Sequence, residues 1–283
     1  MHTLPIYTIK EFKTKTSEFY VNDLSEHLHT HHFIHKPHKH DFYICVLFTK
    51  GRGRHEIDFK SYEVEPGSVF FLKPGSMHHW TFEEKAEGYI FFHSKSFYDL
   101  NYQNRQLHDF PFYFSLYNPP VIYLTPEDVK QTLPLLELLR KEENEDSYTA
   151  IKRASLIDLI YINFARLYSH QQGKQESKAS YLLKLQAFEA LVNQNYQLEK
   201  SPNFYAEKLN VSIKHLNRIV KDTLNITASQ FIADRIILEA KKLLIHADYR
   251  VVEVADTLGY DDASYFIRFF KKHTGLTPNK FAG

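Results

Sequence analysis

The chain has 283 residues, which favours two domains over one, and its 43% hydrophobic and 15% aromatic content is ample for sizeable cores. A net charge of +1 argues by itself against a nucleic-acid partner, and the single cysteine, Cys45, excludes an intramolecular disulfide and fits a reducing cytosol. The charge is divided, however: residues 178–283 carry a net +4 and the preceding part a net −3. Met1–Lys10 lacks an apolar run of signal-peptide length and no stretch approaches a membrane span, so a cytoplasmic location without membrane contact is expected.

Residues 1–120 read as short strands punctuated by Gly and Pro, the pattern of a sandwich or small barrel. Strands are expected at Tyr43–Phe48, Arg54–Phe59, Tyr62–Val64, Ser68–Leu72, His78–Trp80 and Tyr89–Phe92, with turns at 50–53, 65–67 and 73–75. Seven His fall between His27 and His40. The spacing His38-x-His40, then Gly51, then Gly67-x5-Lys73-x-Gly75-x-x-His78 resembles the paired motifs of the cupin barrel. It departs from them at Lys73, where Pro is usual, and at Ile44 and Cys45, where metal-binding cupins place a carboxylate. A barrel mouth for a small organic effector is therefore expected, with Tyr43, Trp80, Tyr89 and Phe91 as apolar walls and His38, His40, His55 and His78 as polar contacts. The alternative is a metal-dependent cupin enzyme, with His38, His40 and His78 holding iron or zinc. Alternation along the strands does not say which aromatics point inward.

Residues 121–170 are expected to form a helical dimerisation segment, and the period changes from residue 126. Thr125-Pro126 opens a helix towards Leu139-Arg140, and the charged stretch 141–146 is a solvated loop. Tyr148–Tyr168 forms a long helix with one apolar stripe at Ala150, Ala154, Ile157, Tyr161, Phe164 and Tyr168 and a second at Leu156, Ile160 and Leu167. One stripe suffices to pack on the barrel. A second implies a partner helix, most simply the same helix of another subunit, with Ile157, Tyr161 and Phe164 as the expected dimerisation residues. The alternative is a helix buried between its own neighbours. Residues 171–179 are polar, contain Gly and read as a linker.

Residues 180–283 open with a helix at Tyr181–Asn195 and then say nearly the same thing twice, at about 201–224 and 251–274. Ala206-x-x-Leu209 falls on Ala255-x-x-Leu258, and Leu216-x-Arg218-Ile219-Val220-Lys221 falls on Phe266-x-Arg268-Phe269-Phe270-Lys271. The offset is 49 before the turn and 50 after it, so the second turn has one extra residue. Each copy is a helix, a tight turn and a second helix, with Ser212 capping the first and Asp261 or Asp262 the second. Leu216, Ile219 and Val220 face inward, as do Phe266, Phe269 and Phe270; Lys214, Asn217, Arg218 and Lys221 lie outward, as do Ser264, Ile267, Arg268 and Lys271. Such outward faces suit a DNA major groove. Ser229–Ile245, a breaker-free helix, separates the copies as a strut.

This stretch resembles the tandem helix-turn-helix domain of the AraC/XylS family of transcription regulators. The resemblance rests on Arg235-x4-Ala240-x-x-Leu243-Leu244 and on Val251-x-x-Val254-Ala255-x-x-Leu258-Gly259-Tyr260-x-Asp262-x-Ser264-Tyr265-Phe266-x-Arg268-x-Phe270-Lys271-Lys272-x-Thr274-Gly275-x-Thr277-Pro278. The first copy carries Asn210 where the family commonly has Gly. The resemblance implies an α+β multidomain protein, with an N-terminal cupin-like β-barrel and dimerisation helices followed by an all-α tandem helix-turn-helix domain. The implied partners are double-stranded DNA, a small-molecule effector, a second copy of the chain and, for an activator, RNA polymerase; no enzymatic activity, metal or cofactor is expected. The residues expected at DNA are Ser212, Lys214, His215, Asn217, Arg218 and Lys221 in the first copy, and Asp262, Ala263, Ser264, Tyr265, Ile267, Arg268 and Lys271 in the second. With more donors on its outward face, the first copy is expected to read more bases.

Overall fold

A computed structural model of the chain describes residues 5–12, 18–32, 36–101, 106–114, 117–142, 144, 146–171, 179–246 and 249–282. All but the two ends of the expected linker lie outside the described residues. The chain divides into two compact units, one holding residues 5–174 and the other residues 175–283.

The first unit begins with β1 (Ile6–Tyr7), β2 (Phe19–Asp23), α1 (Leu24–Thr30), β3 (Lys39–His40) and β4 (Tyr43–Lys50). Next come β5 (Gly53–Ile57), β6 (Lys60–Val64), β7 (Ser68–Leu72), β8 (His78–Phe82) and β9 (Glu87–His93). It ends with α2 (Lys95–Asn101), α3 (Pro111–Phe114), β10 (Val121–Tyr123), α4 (Pro126–Arg140) and α5 (Thr149–Gln171). One antiparallel sheet has the order β10-β7-β4-β9-β2 and another the order β6-β5-β8, while β1 pairs in parallel with β3. The two larger sheets share an apolar layer in which Ile44, Val46, Phe48, Phe70 and Phe92 meet Ile57, Val64 and Trp80. Among the described residues no ladder joins these sheets into a closed barrel.

Strand β4 shows no polar alternation because both of its faces are buried. Ile44, Val46 and Phe48 point into the shared layer, while Cys45 and Leu47 point at the helices on the other side. The sheet also takes in Val121–Tyr123, one strand past the boundary expected at residue 120. The four residues between Pro120 and the Thr125 cap, three of them in the strand, are too few to carry a readable period.

Helix α5 buries its first stripe in the subunit itself from Ala154 to Tyr168, while Ala150 is exposed. Ile157, Tyr161 and Phe164 are fully buried, with Phe164 edge-on to Phe71 at 5.6 Å and Tyr161 5.2 Å from Phe110 between ring centroids. The expectation that these three form a dimer contact is therefore corrected: they are core. The second stripe is also spoken for, since Ile160 is buried and Leu156 and Leu167 pack on the same cluster.

His93, at the end of β9, lies in this core. Its Nδ1 is 2.9 Å from the Ser94 carbonyl and its Nε2 3.0 Å from the Tyr161 hydroxyl. Only a ring N–H can serve a carbonyl, so Nδ1–H donates to Ser94 and Nε2 accepts from Tyr161. Burial pushes its pKa down to about 4 from an ordinary 6.5. The folded value lies below the unfolded one, so the neutral ring contributes stability above pH 6.5 that is lost as pH falls towards 4. We expect a loss of about 3 kcal/mol from this residue over that interval. Denaturant unfolding at stepped pH, followed by Trp80 fluorescence, should show it, and His93→Gln should flatten the slope. An unchanged slope in that variant would refute the assignment.

The second unit contains α6 (Ala179–Asn195), α7 (Pro202–Lys208), α8 (Ile213–Leu224), α9 (Ala228–His246), α10 (Val251–Thr257), α11 (Ala263–Thr274) and α12 (Pro278–Ala282). Helix α9, 19 residues and thus about 28 Å long, packs against α8, α10 and α11. The inward residues Leu216, Ile219, Val220, Phe266 and Phe270 are fully buried. Phe269 is only half-buried, because its ring lies towards Tyr260 and His273 near the surface.

Candidate nucleic-acid interface and histidine cluster

The two helix-turn-helix motifs are built by the same local devices. Asn210 adopts φ 52° where Gly259 adopts 69°, and in both turns the next residue's N–H reaches back to an alanine carbonyl, Val211 to Ala206 and Tyr260 to Ala255. Asn is among the few L-residues that enter the left-handed region readily, so it serves where the family commonly has Gly. Ser212 caps α8 by accepting from the His215 N–H at 3.2 Å, and Asp262 caps α11 by accepting from Ser264 at 2.7 Å. Both helices end fifty residues apart in left-handed caps, Asn225 and Gly275, that bond to Lys221 and Lys271.

Outside these caps, Lys214, Arg218 and Lys221 are exposed on α8, and Ser264, Tyr265, Arg268 and Lys271 on α11; Ala263 and Ile267 are half-buried. The Arg218 guanidinium is 2.8 Å from His215 Nδ1 and 5.9 Å from the Tyr181 ring centre, so its direction is set by two neighbours. Tyr181, from α6, was not singled out in the sequence as a site residue. Its contribution comes from a helix outside the repeat.

Asn217 has a different task from the one expected. Its Oδ1 accepts the Ala228 N–H at 3.0 Å, at the start of α9, and its Nδ2 donates to the Ile213 carbonyl at 3.2 Å. The amide thereby holds α8 against the strut and is not available as an outward adenine reader. At the matching position Ile267 cannot bond in this way, so the inequality expected between the two helices narrows to one basic side chain.

In the first unit, four imidazoles gather at one end of the layer between the sheets. His38, His55 and His78 are fully buried and His40 nearly so. Reciprocal backbone bonds of 3.1 and 3.0 Å pair His38 with His78, and the ladder of β5 and β8 brings His55 beside Trp80. His40 Nε2 is 2.8 Å from His78 Nε2, and His55 Nε2 is 2.9 Å from His78 Nδ1. Burial first, then the neighbouring imidazoles, holds His40, His55 and His78 well below the ordinary value, so the rings are neutral near pH 7. Among the described residues, the buried atoms His38 Nε2, His40 Nδ1, His55 Nδ1 and Trp80 Nε1 have no hydrogen-bond partner.

Two of the expected effector residues lie elsewhere. Tyr43 and Tyr89 stand on the helix-facing side of their strands, Tyr43 stacked on His93 and Tyr89 donating to Glu137 at 3.1 Å. The pleat sends neighbours to opposite faces, and the sequence did not reveal which was which. Phe91 likewise belongs to the helix side. Of the other His in that tract, His27 and His31 pack with Phe12, His29 and His32 are exposed, and His35 lies outside the described residues.

A family model for a helix-turn-helix domain matches residues 205–283, and one for an AraC-like ligand-binding domain matches residues 24–160. The HTH-type transcriptional activator RhaR of Mannheimia succiniciproducens is 22% identical over 252 residues, covering 86% of each chain. The HTH-type transcriptional activator RhaS of Salmonella arizonae is 21% identical over 251 residues, covering 85% of each. Among solved structures, unsaturated-fatty-acid-bound ToxT from Vibrio cholerae is 12% identical, covers 95% of this chain and 96% of its own, and overlays with a TM-score of 0.43. Among the described residues no helix is long and apolar enough to cross a membrane. Two matched domain models in the order of the chain, and relatives aligned over most of it, make this protein a member of the AraC/XylS family, a DNA-binding transcription regulator with an N-terminal ligand-binding domain.

Proposed function

We propose that the chain reads specific DNA through α8 and α11, with Arg218 as the principal base-reading side chain and Lys214, Lys221, Arg268 and Lys271 on phosphates. The observation that carries this reading is the pair of helices with side-chain N-caps and left-handed C-caps, each exposing an Arg and a Lys at matching positions. Arg218 is the one braced by neighbours, which suits a bidentate contact to guanine. The N-terminal unit responds to a small ligand held at the histidine cluster, where buried polar nitrogens lack partners among the described residues. To act on DNA binding, that ligand binds two arrangements of the regulator with different affinity.

The relatives named above are transcriptional activators, which supports activation, with RNA polymerase as the further partner. We assign the protein to the cytoplasm and give it no catalytic step. A homodimer is part of the reading. We put its contact on the outward side of α5, a choice supported by the exposure of Ile151 and Leu159.

A DNA selection on wild type and variants tests the interface. Arg218→Ala should weaken the preferred site by about 1–3 kcal/mol and relax one or two base pairs. Lys271→Ala should weaken all sequences alike and flatten the salt dependence. Asn217→Ala should leave the base preferences intact and lower the stability of the second unit by about 1 kcal/mol, the worth of a helix cap. Base preferences altered by Asn217→Ala but not by Arg218→Ala would overturn the assignment.

A further inference from the structure

We propose that the histidine cluster is a binding site for one divalent first-row transition ion of the zinc class, ligated by His38, His40 and His78. This rests on the ligand-sensing reading of the same site and names the class of ligand.

The first argument is geometric. One ring nitrogen from each of these three residues lies within 4.8 Å of the others, and all three residues are buried. Around zinc, with Zn–N of about 2.0–2.1 Å, tetrahedral ligand nitrogens stand about 3.3 Å apart. The 2.8 Å between His40 Nε2 and His78 Nε2 and the 4.8 Å limit bracket that separation, so small ring movements suffice.

The second argument is the bookkeeping of protons. His38 Nδ1 is 2.7 Å from the Lys36 carbonyl, to which only an N–H can donate. With the ring's proton on Nδ1, Nε2 holds a bare lone pair, and among the described residues this buried atom has no hydrogen-bond partner. His78 is set in the same way if its Nδ1–H donates to His55 Nε2 at 2.9 Å, which turns its own Nε2 lone pair towards His40. Without the ion His40 Nε2–H donates to that lone pair at 2.8 Å, so His40 ligates through Nε2 only with its proton moved to Nδ1, and the ion takes the place of that hydrogen bond. His55 is thus a positioning residue that orients a ligand, the part outer partners play for metal-bound imidazoles.

The third argument concerns which ion. Three neutral imidazoles without a carboxylate are poor ligands for calcium or magnesium and suit zinc, cobalt or nickel. Ile44 points into the apolar layer and Cys45 into the helix-facing core, so neither adds a ligand. The rings also pack closely, with His38 and His78 centroids 4.4 Å apart and His38 and His40 4.6 Å apart. That spacing fits an ion better than an organic effector.

The test uses the full-length protein, stripped with a chelator and titrated with Co2+ as a spectroscopic stand-in for zinc. We expect stoichiometric uptake with the visible bands of nitrogen-ligated tetrahedral cobalt and without thiolate charge transfer. Zinc should displace the cobalt. His38→Ala should abolish the bands, and His55→Ala should weaken binding by about 10–100-fold. His29→Ala combined with His32→Ala, on the exposed part of the tract, should change nothing. X-ray absorption of the zinc-loaded wild type should count three imidazoles, which keeps the test decisive even where a variant fails to fold. Absence of uptake, or bands that survive His38→Ala and vanish in the exposed-histidine variant, would overturn the proposal. Since none of these readings involves DNA, a failure here leaves the interface assignment standing.

Discussion

Ile157→Asp and Phe164→Asp should each unfold the N-terminal unit rather than separate two subunits. Both side chains are fully buried between α5 and the large sheet, and the aromatic partners of Phe164 include Phe71. A carboxylate placed there must ionise in an apolar layer or stay protonated. Either way the loss is about 4 kcal/mol or more, a large share of the 5–15 kcal/mol typical of a domain. The readout is Trp80, the single tryptophan, which sits in the layer on the far side of the same sheet. Its fluorescence should shift to that of an exposed indole in both variants, with loss of near-ultraviolet circular dichroism. Ile151→Glu and Leu159→Glu alter exposed positions and should leave those signals native. If the proposed dimer uses that side of α5, these are the variants that sediment as monomers. A folded Phe164→Asp chain with halved mass would restore the contact expected from the sequence.

The error behind that expectation has a physical source. A heptad-like stripe records only that one helix face meets apolar material, and core and dimer partner write the same pattern. Here the layer is supplied by Phe110, Phe112 and Tyr113 from segments that carried no period of their own, so a second partner seemed to be needed. The same limit applies to β4. Six consecutive apolar residues announced a buried strand, yet only the structure shows Ile44 and Cys45 facing different cores. Where the sequence was most legible, two independent signals coincided. The repeat marked the helices of the second unit, and the caps at Ser212 and Thr125 marked where helices begin, while of Asp261 and Asp262 the structure selects Asp262. His38, His40 and His78 were legible as a group through the resemblance of their spacing to the cupin motifs. His55 was legible only as one polar residue among several, because its role depends on the pairing of β5 with β8. Asn217 misled for the opposite reason, as its helical spacing placed it on the outward face and gave no sign of the Ala228 N–H within its reach.

Gly259→Ala should disable the second motif, whereas Asn210→Gly at the matching turn of the first should be nearly silent. Both residues are left-handed, with φ of 69° and 52°. An L-residue other than Asn or Asp loses about 1–2 kcal/mol in that conformation. Gly259 carries a second constraint that Asn210 does not share as a glycine. A Cβ built on it would stand 1.9 Å from the Gln197 carbonyl oxygen, a backbone atom that cannot swing aside. That stretch is pinned in turn by Lys200, whose ammonium donates to the carbonyls of Gln197 at 2.7 Å and Gly259 at 2.9 Å and lies 4.6 Å from the Tyr260 ring centre. The close approach is therefore what docks the second turn, and an added methyl must push α10 and α11 away from it. We expect about 3 kcal/mol of destabilisation, with faster amide exchange concentrated in Val251–Thr274. Binding should weaken most at the bases under α11, while preferences under α8 persist. Asn210→Gly exchanges one residue at ease with positive φ for another and should stay within about 1 kcal/mol of wild type. Amide exchange in Gly259→Ala matching wild type would show that the turn yields at no cost, and that the docking by Gln197 and Lys200 does not hold the second reading helix in place.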